Sequence, residues 1–276
     1  MSVDLHLHTI ASDGRSTAFE LVELAAAAGV SVMAVTDHDT VASCRDVADA
    51  ARGHGIEAIA GIEITAVEEG RDVHMLGYFF DVADAGLRDF LVGQRELRVA
   101  RLTRVAARLA ELGMPVDLRP FMTAAATRGQ SVGRPQVADA MIAAGHVKGR
   151  REAFERWLGA GRPGFVERDG APPERVIDIV HTAGGLISLA HPGRTRLEDD
   201  RIRRLVADGL DALEVYHSDH DADTVARYAA LADQLGALRT GGTDFHADPT
   251  DALTVGTVTL PPDQWDRLRR AAQRGH

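Results

Sequence analysis

The sequence predicts an α/β fold, a barrel of βα units with a helical insertion. Three observations predict it. Short apolar, strand-like runs alternate with alanine-rich helical stretches near both ends of the chain. Side chains of metal-binding type stand at or just beyond those runs, where barrel enzymes keep their chemistry. Between residues 85 and 180 the alternation gives way to longer helical patterns, which predicts an insertion capping the barrel's open face.

The elements follow in order. Val3–Leu7 reads as a strand, Thr17–Ala28 as a helix, Val32–Thr36 as a strand and Thr40–Arg52 as a helix. Ile56–Ile62 and Val73–Gly77 complete the first group of strands. Ala85–Leu112 is one long helical stretch closed by Gly113 and Pro115. Arg134–Ala144 and Arg150–Leu158 are shorter helices with glycine stops, and Gly159–Pro173 is a loop rich in glycine and proline. Alternation resumes with strand Leu186–Ala190, helix Asp200–Asp208, strand Ala212–Tyr216 and helix Asp221–Leu235, then Leu238–Thr240 enters Gly241-Gly242-Thr243-Asp244. The expected division is a barrel of residues 1–84 and 181–276, with residues 85–180 as the insertion.

Composition narrows the class. At 276 residues, 45% hydrophobic and 26% charged, the chain can bury a full core. No run approaches the roughly 18 to 20 apolar residues of a membrane span. The N-terminus enters a strand by Val3, which leaves no room for a secretory signal. The single cysteine, Cys44, excludes an internal disulfide framework and suits a reducing compartment, so a cytoplasmic location is expected. Nothing points to a membrane, a DNA duplex or an obligate protein partner. A net charge of −10 argues against a polyanionic substrate unless the site itself carries cations. Arginine supplies every basic residue but Lys148, so arginine content alone says nothing of phosphate binding.

Six imidazoles (His6, His8, His38, His74, His191, His246) and three carboxylates (Asp13, Glu63, Asp244) carry the chemistry. His6-x-His8 on a strand points both rings to one side, because side chains alternate with period two. A lone histidine beside an apolar run is more often a packed residue than a ligand. Nine such groups at successive strand ends are hard to explain by packing, and they exceed what one ion can use. A polynuclear site of divalent ions is therefore expected, and mixed imidazole and carboxylate sites of that kind hydrolyse phosphoesters.

With these residues in place, the chain resembles the PHP (polymerase and histidinol phosphatase) family of metal-dependent phosphoesterases over nearly its whole length. His6-x-His8, Asp13, Asp37-His38, Glu63, His74, His191-Pro192 and Asp244-x-His246 stand in that family's order. Val132-Gly133-Arg134-Pro135 and Glu214-Val215-Tyr216-His217-Ser218 resemble the branch of 3′,5′-nucleoside bisphosphate phosphatases and 5′-to-3′ exoribonucleases of short RNA. Gln136 stands where relatives often carry histidine, and Thr243 where serine is common.

The resemblance implies a distorted (β/α)7 barrel of the PHP type and two to three divalent ions, with manganese expected and iron or zinc as alternatives. His6, His8, Glu63 and Asp244 would hold one ion. Glu63, His74 and His191 would hold a second, with Glu63 bridging, and Asp13, His38 and His246 a third. Asp37 is expected behind them, orienting an imidazole. Asp244 and His217 are the catalytic candidates, His217 as a proton donor to the leaving group. Arg134, Ser131 and Arg101 are the expected contacts to a small phosphorylated nucleotide or short RNA, since guanidinium matches phosphate with parallel hydrogen bonds. The expected reaction removes the 3′-phosphate of a 3′,5′-nucleoside bisphosphate. A histidinol-phosphate type of phosphatase and a non-catalytic regulatory module are the alternatives. His54, His146, His181, His220 and His276 have no motif context and are expected at the surface.

Overall fold

Seven strands form one sheet in chain order in the computed structural model, which describes residues 1–195, 197–249 and 252–275. They are β1 (Val3–Leu7), β2 (Val32–Val35), β3 (Glu57–Glu68), β4 (Arg71–Tyr78), β5 (Leu186–Leu189), β6 (Ala212–His217) and β7 (Leu238–Gly242). The chain just after β7 meets β1: Asp244 N donates to His6 O at 2.8 Å and His8 N to Phe245 O at 3.0 Å. These bonds nearly close the sheet into a barrel. Gly242 permits the approach, since a Cβ there would lie 2.3 Å from the His6 nitrogen.

Eleven α-helices surround or extend the barrel among the described residues. On the barrel, α1 (Ala18–Ala27) and α2 (Cys44–His54) precede the insertion, which holds α3 (Ala85–Glu111), α4 (Arg119–Arg128), α5 (Arg134–Ala143), α6 (Arg150–Ala153) and a π-helical turn at Phe154–Leu158. After it come α7 (Pro173–Thr182), α8 (Pro192–Thr195), α9 (Asp199–Ala207), α10 (Ala222–Leu235) and α11 (Pro262–Arg274). Local chemistry explains several starts. Thr17 and Glu20 form a reciprocal capping box on α1, and the Asp84 and Asp221 carboxylates accept from the first-turn amides of α3 and α10. No described helix is long and apolar enough to cross a membrane.

Three expectations need correction. β4 runs antiparallel to both β3 and β5, not parallel. Glu69 and Gly70, both at positive φ (50° and 75°), turn the chain back within two residues, leaving no space for a helix. α2 begins at Cys44 and not Thr40, because tertiary bonds hold the preceding residues: the Asp39 carboxylate accepts from Thr65 N, and Thr40 Oγ1 donates to Gly129 O. The third concerns the insertion's edges. Val176, Ile177, Ile179 and Val180 of α7, and Leu87 and Leu91 of α3, pack in the same core as Ile62, Met75 and Leu189 of the barrel. A separate core of Leu102, Val105, Leu109, Val137, Met141 and Leu158 holds the rest of the insertion together. By packing, then, the inserted unit starts midway along α3 and ends before α7. His276 lies outside the described residues.

Candidate metal centre

All nine expected ligand side chains converge at one end of the barrel. His6 comes from β1 and His8 from the loop after it, Glu63 from the middle of β3 and His74 from reversed β4. His191 follows β5, while Asp244 and His246 follow β7. His38 continues β2 through an isolated bridge to Glu63. Glu63 and His74 thus lie within strands, not at their ends. The group borders a cavity of ≈ 720 Å³ whose far wall belongs to the insertion.

The distances are those of atoms aimed at shared ions. His6 Nε2 lies 3.1 Å from Glu63 Oε2 and 3.3 Å from Asp244 Oδ1, and His8 Nε2 lies 3.2 Å from each of the same two oxygens. Two ligand atoms held at roughly 2.0–2.2 Å from one tetrahedral or octahedral ion stand about 2.8–3.6 Å apart. Glu63 Oε1 faces the second group, 2.7 Å from His74 Nδ1 and 3.2 Å from His191 Nε2. Asp13 gathers a third, with His246 Nε2 at 3.3 Å, His38 Nε2 at 3.5 Å and His8 Nδ1 at 3.6 Å. His38 Nδ1 is also 3.4 Å from Glu63 Oε2. Glu63 therefore touches the first two groups directly and reaches Asp13 through His8 and His38, whose rings stand between the two carboxylates.

Hydrogen bonding supports a metal reading. Both ring nitrogens of His8, and Nδ1 of His38 and His191, are buried without a hydrogen-bond partner. His191 meets Glu63 through Nε2, so its Nδ1 carries no argument, but the orphaned nitrogens of His8 and His38 stand near the Asp13, Glu63 and Asp244 oxygens. Unpaired they would be costly in a packed interior, whereas a lone pair directed at a cation is satisfied by it. The backbone is strained at the same place: His191 and Asp244 hold φ values of 27° and 56°, each costing roughly 1–3 kcal/mol for a non-glycine residue.

Buried carboxylates behind the ligands fix their aim. Glu214, on β6, accepts from His6 Nδ1 at 2.8 Å and from the His191 amide at 2.7 Å. The first bond leaves His6 Nε2 free for the site. Asp4 accepts from the Thr243 amide and hydroxyl and from Gly256 N, bracing the turn that presents Asp244. Asp37 orients no imidazole, contrary to expectation. It accepts from Thr9 N, Thr9 Oγ1, Ser12 Oγ and Ser43 Oγ, so it shapes the loop between His8 and Asp13. Glu214 and Asp4 were missed in the sequence, although an acidic residue inside an apolar strand such as Ala212-Leu213-Glu214-Val215 is itself a signal.

Electrostatics show a site that calls for positive charge. Burial opposes the charged form of His6, yet Glu214, Asp244 and Glu63 outweigh it and hold its pKa well above that of an ordinary imidazole. Burial of His8 is likewise overcome, by Asp244, Glu63 and Asp13, and its pKa is pushed up to about 10. At His38 burial prevails over Glu63 and Asp13, pushing the ring down to about 3. Despite their burial, Glu63, Asp13 and Asp244 are held well below the usual carboxylate range by the surrounding imidazoles.

The insertion wall is guanidinium-rich. Asp72, on β4, accepts at Oδ2 from Arg134 at 3.0 Å and from Arg101 at 3.3 Å, and Arg168 adds a third nearby positive charge. Arg98, buried, bonds Asp39 and Thr65, and Arg168 shares Asp39 at 2.9 Å. Arg101 and Arg134 both line the cavity, as expected, together with Arg168, Arg150 and Arg194, which the sequence did not single out. Ser131 does not line it: the residue is buried and its amide donates to Ala11 O. His217 is likewise shielded, its side chain 0% exposed, with Nδ1 accepting from Asp219 N and Nε2 at 3.3 Å from Asp244 Oδ2. A direct role for His217 at a leaving group is therefore not what this geometry offers. Of the remaining histidines, His54 is exposed, but His181 pairs with Asp211 and His220 bonds Val215 O and packs on Tyr228.

Comparison with known proteins bears on this arrangement. The PHP domain family profile matches residues 4–156. A 5′-3′ exoribonuclease of Haemophilus influenzae is 35% identical over 250 residues, covering 88% of this chain and 89% of its own. A 3′,5′-nucleoside bisphosphate phosphatase of Chromobacterium violaceum is 32% identical over 266 residues, covering 95% and 93%. A solved structure from Bifidobacterium adolescentis, assigned as a metal-dependent phosphoesterase, superposes with a TM-score of 0.88 at 31% identity, covering 96% of this chain and 94% of that one.

Proposed function

The chain belongs to the PHP domain family of metal-dependent phosphoesterases, and from that premise we propose that it removes the 3′-phosphate from 3′,5′-nucleoside bisphosphates, leaving the nucleoside 5′-monophosphate. One observation carries the reading: the imidazole–carboxylate centre and the Arg101–Arg134–Arg168 wall face each other across a single cavity. A substrate with one phosphate to react and another to be held matches two such regions. Short RNA with a 5′-phosphate suits the same reading, because release of its first nucleotide breaks the same 3′-oxygen–phosphorus bond relative to the held phosphate.

In this reading His6, His8, Glu63 and Asp244 hold one divalent ion, Glu63, His74 and His191 a second, and Asp13, His38 and His246 a third. Manganese is the first choice, with iron and zinc as alternatives, since sites of this ligand type take what is available. Bound ions supply Lewis acidity, which makes water nucleophilic near neutral pH and offsets phosphoryl charge. Three of them would leave the formal charge at about −4 instead of −10.

The chain's own residues do the rest. Arg134 and Arg101 bind the distal phosphate and orient the reacting one, so binding energy there raises turnover as well as affinity. Phe154 and Phe165 back the Arg134 guanidinium, with ring centroids 5.8 and 5.7 Å away, and limit where it can point. Asp244 lines the cavity, and its Oδ2, which also accepts from Arg194 Nη1 at 3.1 Å, takes a proton from the attacking water. His217 Nε2 stands behind that oxygen and holds Asp244 in place, a positioning role in keeping with its burial.

The test is a phosphate-release screen of manganese-loaded protein against adenosine 3′,5′-bisphosphate, 3′-AMP, 5′-AMP, histidinol phosphate and short RNA, with phosphorus NMR of the product. Formation of 5′-AMP from the bisphosphate, much faster than hydrolysis of either monophosphate, is expected. Preference for histidinol phosphate, or loss of the 5′-phosphate, would reject the substrate while leaving the metal centre standing.

A further inference from the structure

Three consecutive peptide units of the loop that presents Asp13 are gripped by the insertion. Ser131 N donates to Ala11 O at 2.8 Å. Gln136 Nε2 donates to Ser12 O at 2.6 Å, while its Oε1 accepts from Gly133 N at 2.7 Å. Arg150 donates through Nη1 to Asp13 O at 3.2 Å, and its Nε and Nη2 rest on Asp139. The insertion also holds the residue after His38: Arg98 and Arg168 bind the Asp39 carboxylate, and Arg95 donates to Asp39 O.

The other ligand groups are built differently. Among the described residues, the hydrogen bonds that fix His6, Glu63, His191 and Asp244 come from the barrel: from Glu214, from strand neighbours and from the Asp4-braced turn. Among the described residues, the cluster of Asp13, His38, His8 and His246 has successive carbonyls beside a ligand held by the insertion, whereas near Glu63 one carbonyl, Thr65 O, accepts from Gln94 of α3. An Asp13 carboxylate that must meet three imidazoles at 3.3 to 3.6 Å tolerates little drift of its loop. The barrel provides part of that restraint, through Thr9 and Asp37, and a steric demand at Gly14, where a Cβ would lie 2.4 Å from His8 O.

We infer that the insertion assembles the Asp13–His38–His246 group, with Gln136 and Arg150 as positioning residues that set its affinity for an ion, while the group centred on His6, His8, Glu63 and Asp244 forms without them. The inference rests on the reading of these clusters as metal sites, but not on any substrate. Gln136 therefore acts on ion retention even though it contacts no ion, and a position with no role of its own in the sequence gains one.

Two substitutions remove different bonds to the same loop: Gln136→Met and Arg150→Met. Arg108→Ala, on the exposed side of the insertion, is the control. Manganese binding would be followed by calorimetric titration and by elemental analysis after dialysis, and thermal unfolding would be recorded in excess chelator. Both loop variants are expected to retain one ion fewer per chain than the parent, or to bind the weakest ion about 10- to 100-fold less tightly. Their remaining binding steps and their unfolding temperature in chelator should match the parent and Arg108→Ala. Parent-like affinity and ion count in both variants would overturn the inference. So would a uniform weakening of every step with a lowered unfolding temperature in chelator, which would make the insertion a general support of the fold. A parent protein that takes up no manganese, iron or zinc would instead reject the metal reading underneath.

Discussion

On the barrel side of the cavity, His6, His8 and Glu63 are 0% exposed; His6 is held by Glu214 of another strand, and the His6 and His8 rings both stand within 3.2 Å of Glu63. On the insertion side, Arg134 and Arg101 share one carboxylate, Asp72, and complete their bonds with backbone carbonyls of Leu158 and Val166. The first region is a closed network in which each group depends on the others. The second is a small set of cations around a single anion, with guanidinium groups facing the cavity and able to exchange Asp72 for another partner. A phosphoesterase needs both kinds of construction. Chemistry requires fixed lone pairs, whereas selection among substrates requires contacts that form when the substrate arrives. Damage to the two sides should therefore look different.

Replacing Glu63 by Gln should have the largest effect, because its two oxygens face imidazoles of different groups. Metal content and phosphate release are expected to fall together, turnover by on the order of a thousandfold or more. Elemental analysis beside an activity assay checks it, and full activity with metal lost would break the comparison at its strongest point.

Arg134→Ala tests the opposite wall. Metal content should be unchanged, while hydrolysis of adenosine 3′,5′-bisphosphate loses roughly 2 to 4 kcal/mol of transition-state stabilisation. Hydrolysis of p-nitrophenyl phosphate, which has no distal phosphate, should change little. Equal losses on both substrates would mean that the two walls are not separable.

Glu214→Gln sharpens the barrel side. It keeps the shape of the residue but weakens its hold on His6 and His191, and metal affinity should drop about 10- to 100-fold. Titration with manganese reads this directly, and an unchanged affinity would reduce Glu214 to a packing residue.

The smallest effect concerns protons. His8, with its pKa pushed up to about 10, carries a proton at pH 7 in the metal-free protein and must lose it to become a ligand. Metal binding at pH 7 should therefore release protons, and apparent affinity should rise with pH through the neutral range. Calorimetry in buffers of different ionisation enthalpy measures the release, and a value of zero would contradict this account of the site's charge.

Much of the centre was legible in the sequence because its ligands fall in short motifs at strand ends, where charge has no packing explanation. His6-x-His8 and Asp244-x-His246 are of that kind. The direction of β4 was not legible: Val73–Gly77 reads alike in either orientation, and Glu69-Gly70 is not the asparagine–glycine pair that announces a two-residue turn. Four residues preceding α2 read as helix but are not helical, because Asp39 and Thr40 are committed to partners far away in sequence. Arg150, Arg168 and Arg194 were hidden by abundance, since a chain whose cations are almost all arginine gives no local contrast. Helices α4, α7 and α11 were missed between stronger patterns, although Pro at the first turn of each is a recognised start signal.

The reversal of β4 has a metrical consequence. Side chains two residues apart on a strand share a face, and so His74, beside Glu63, and Asp72, among the arginines, look into the same cavity from one rigid ribbon. Their backbone separation is two strand steps, about 6.8 Å, and it is fixed by pairing with β3, Thr65 opposite His74 and Val67 opposite Asp72, with Ala190 N holding His74 O from the other side. The hairpin therefore works as a gauge: it spaces the two halves of the cavity in whole residues, and a different spacing would require the anion or the imidazole to stand at another position along this strand.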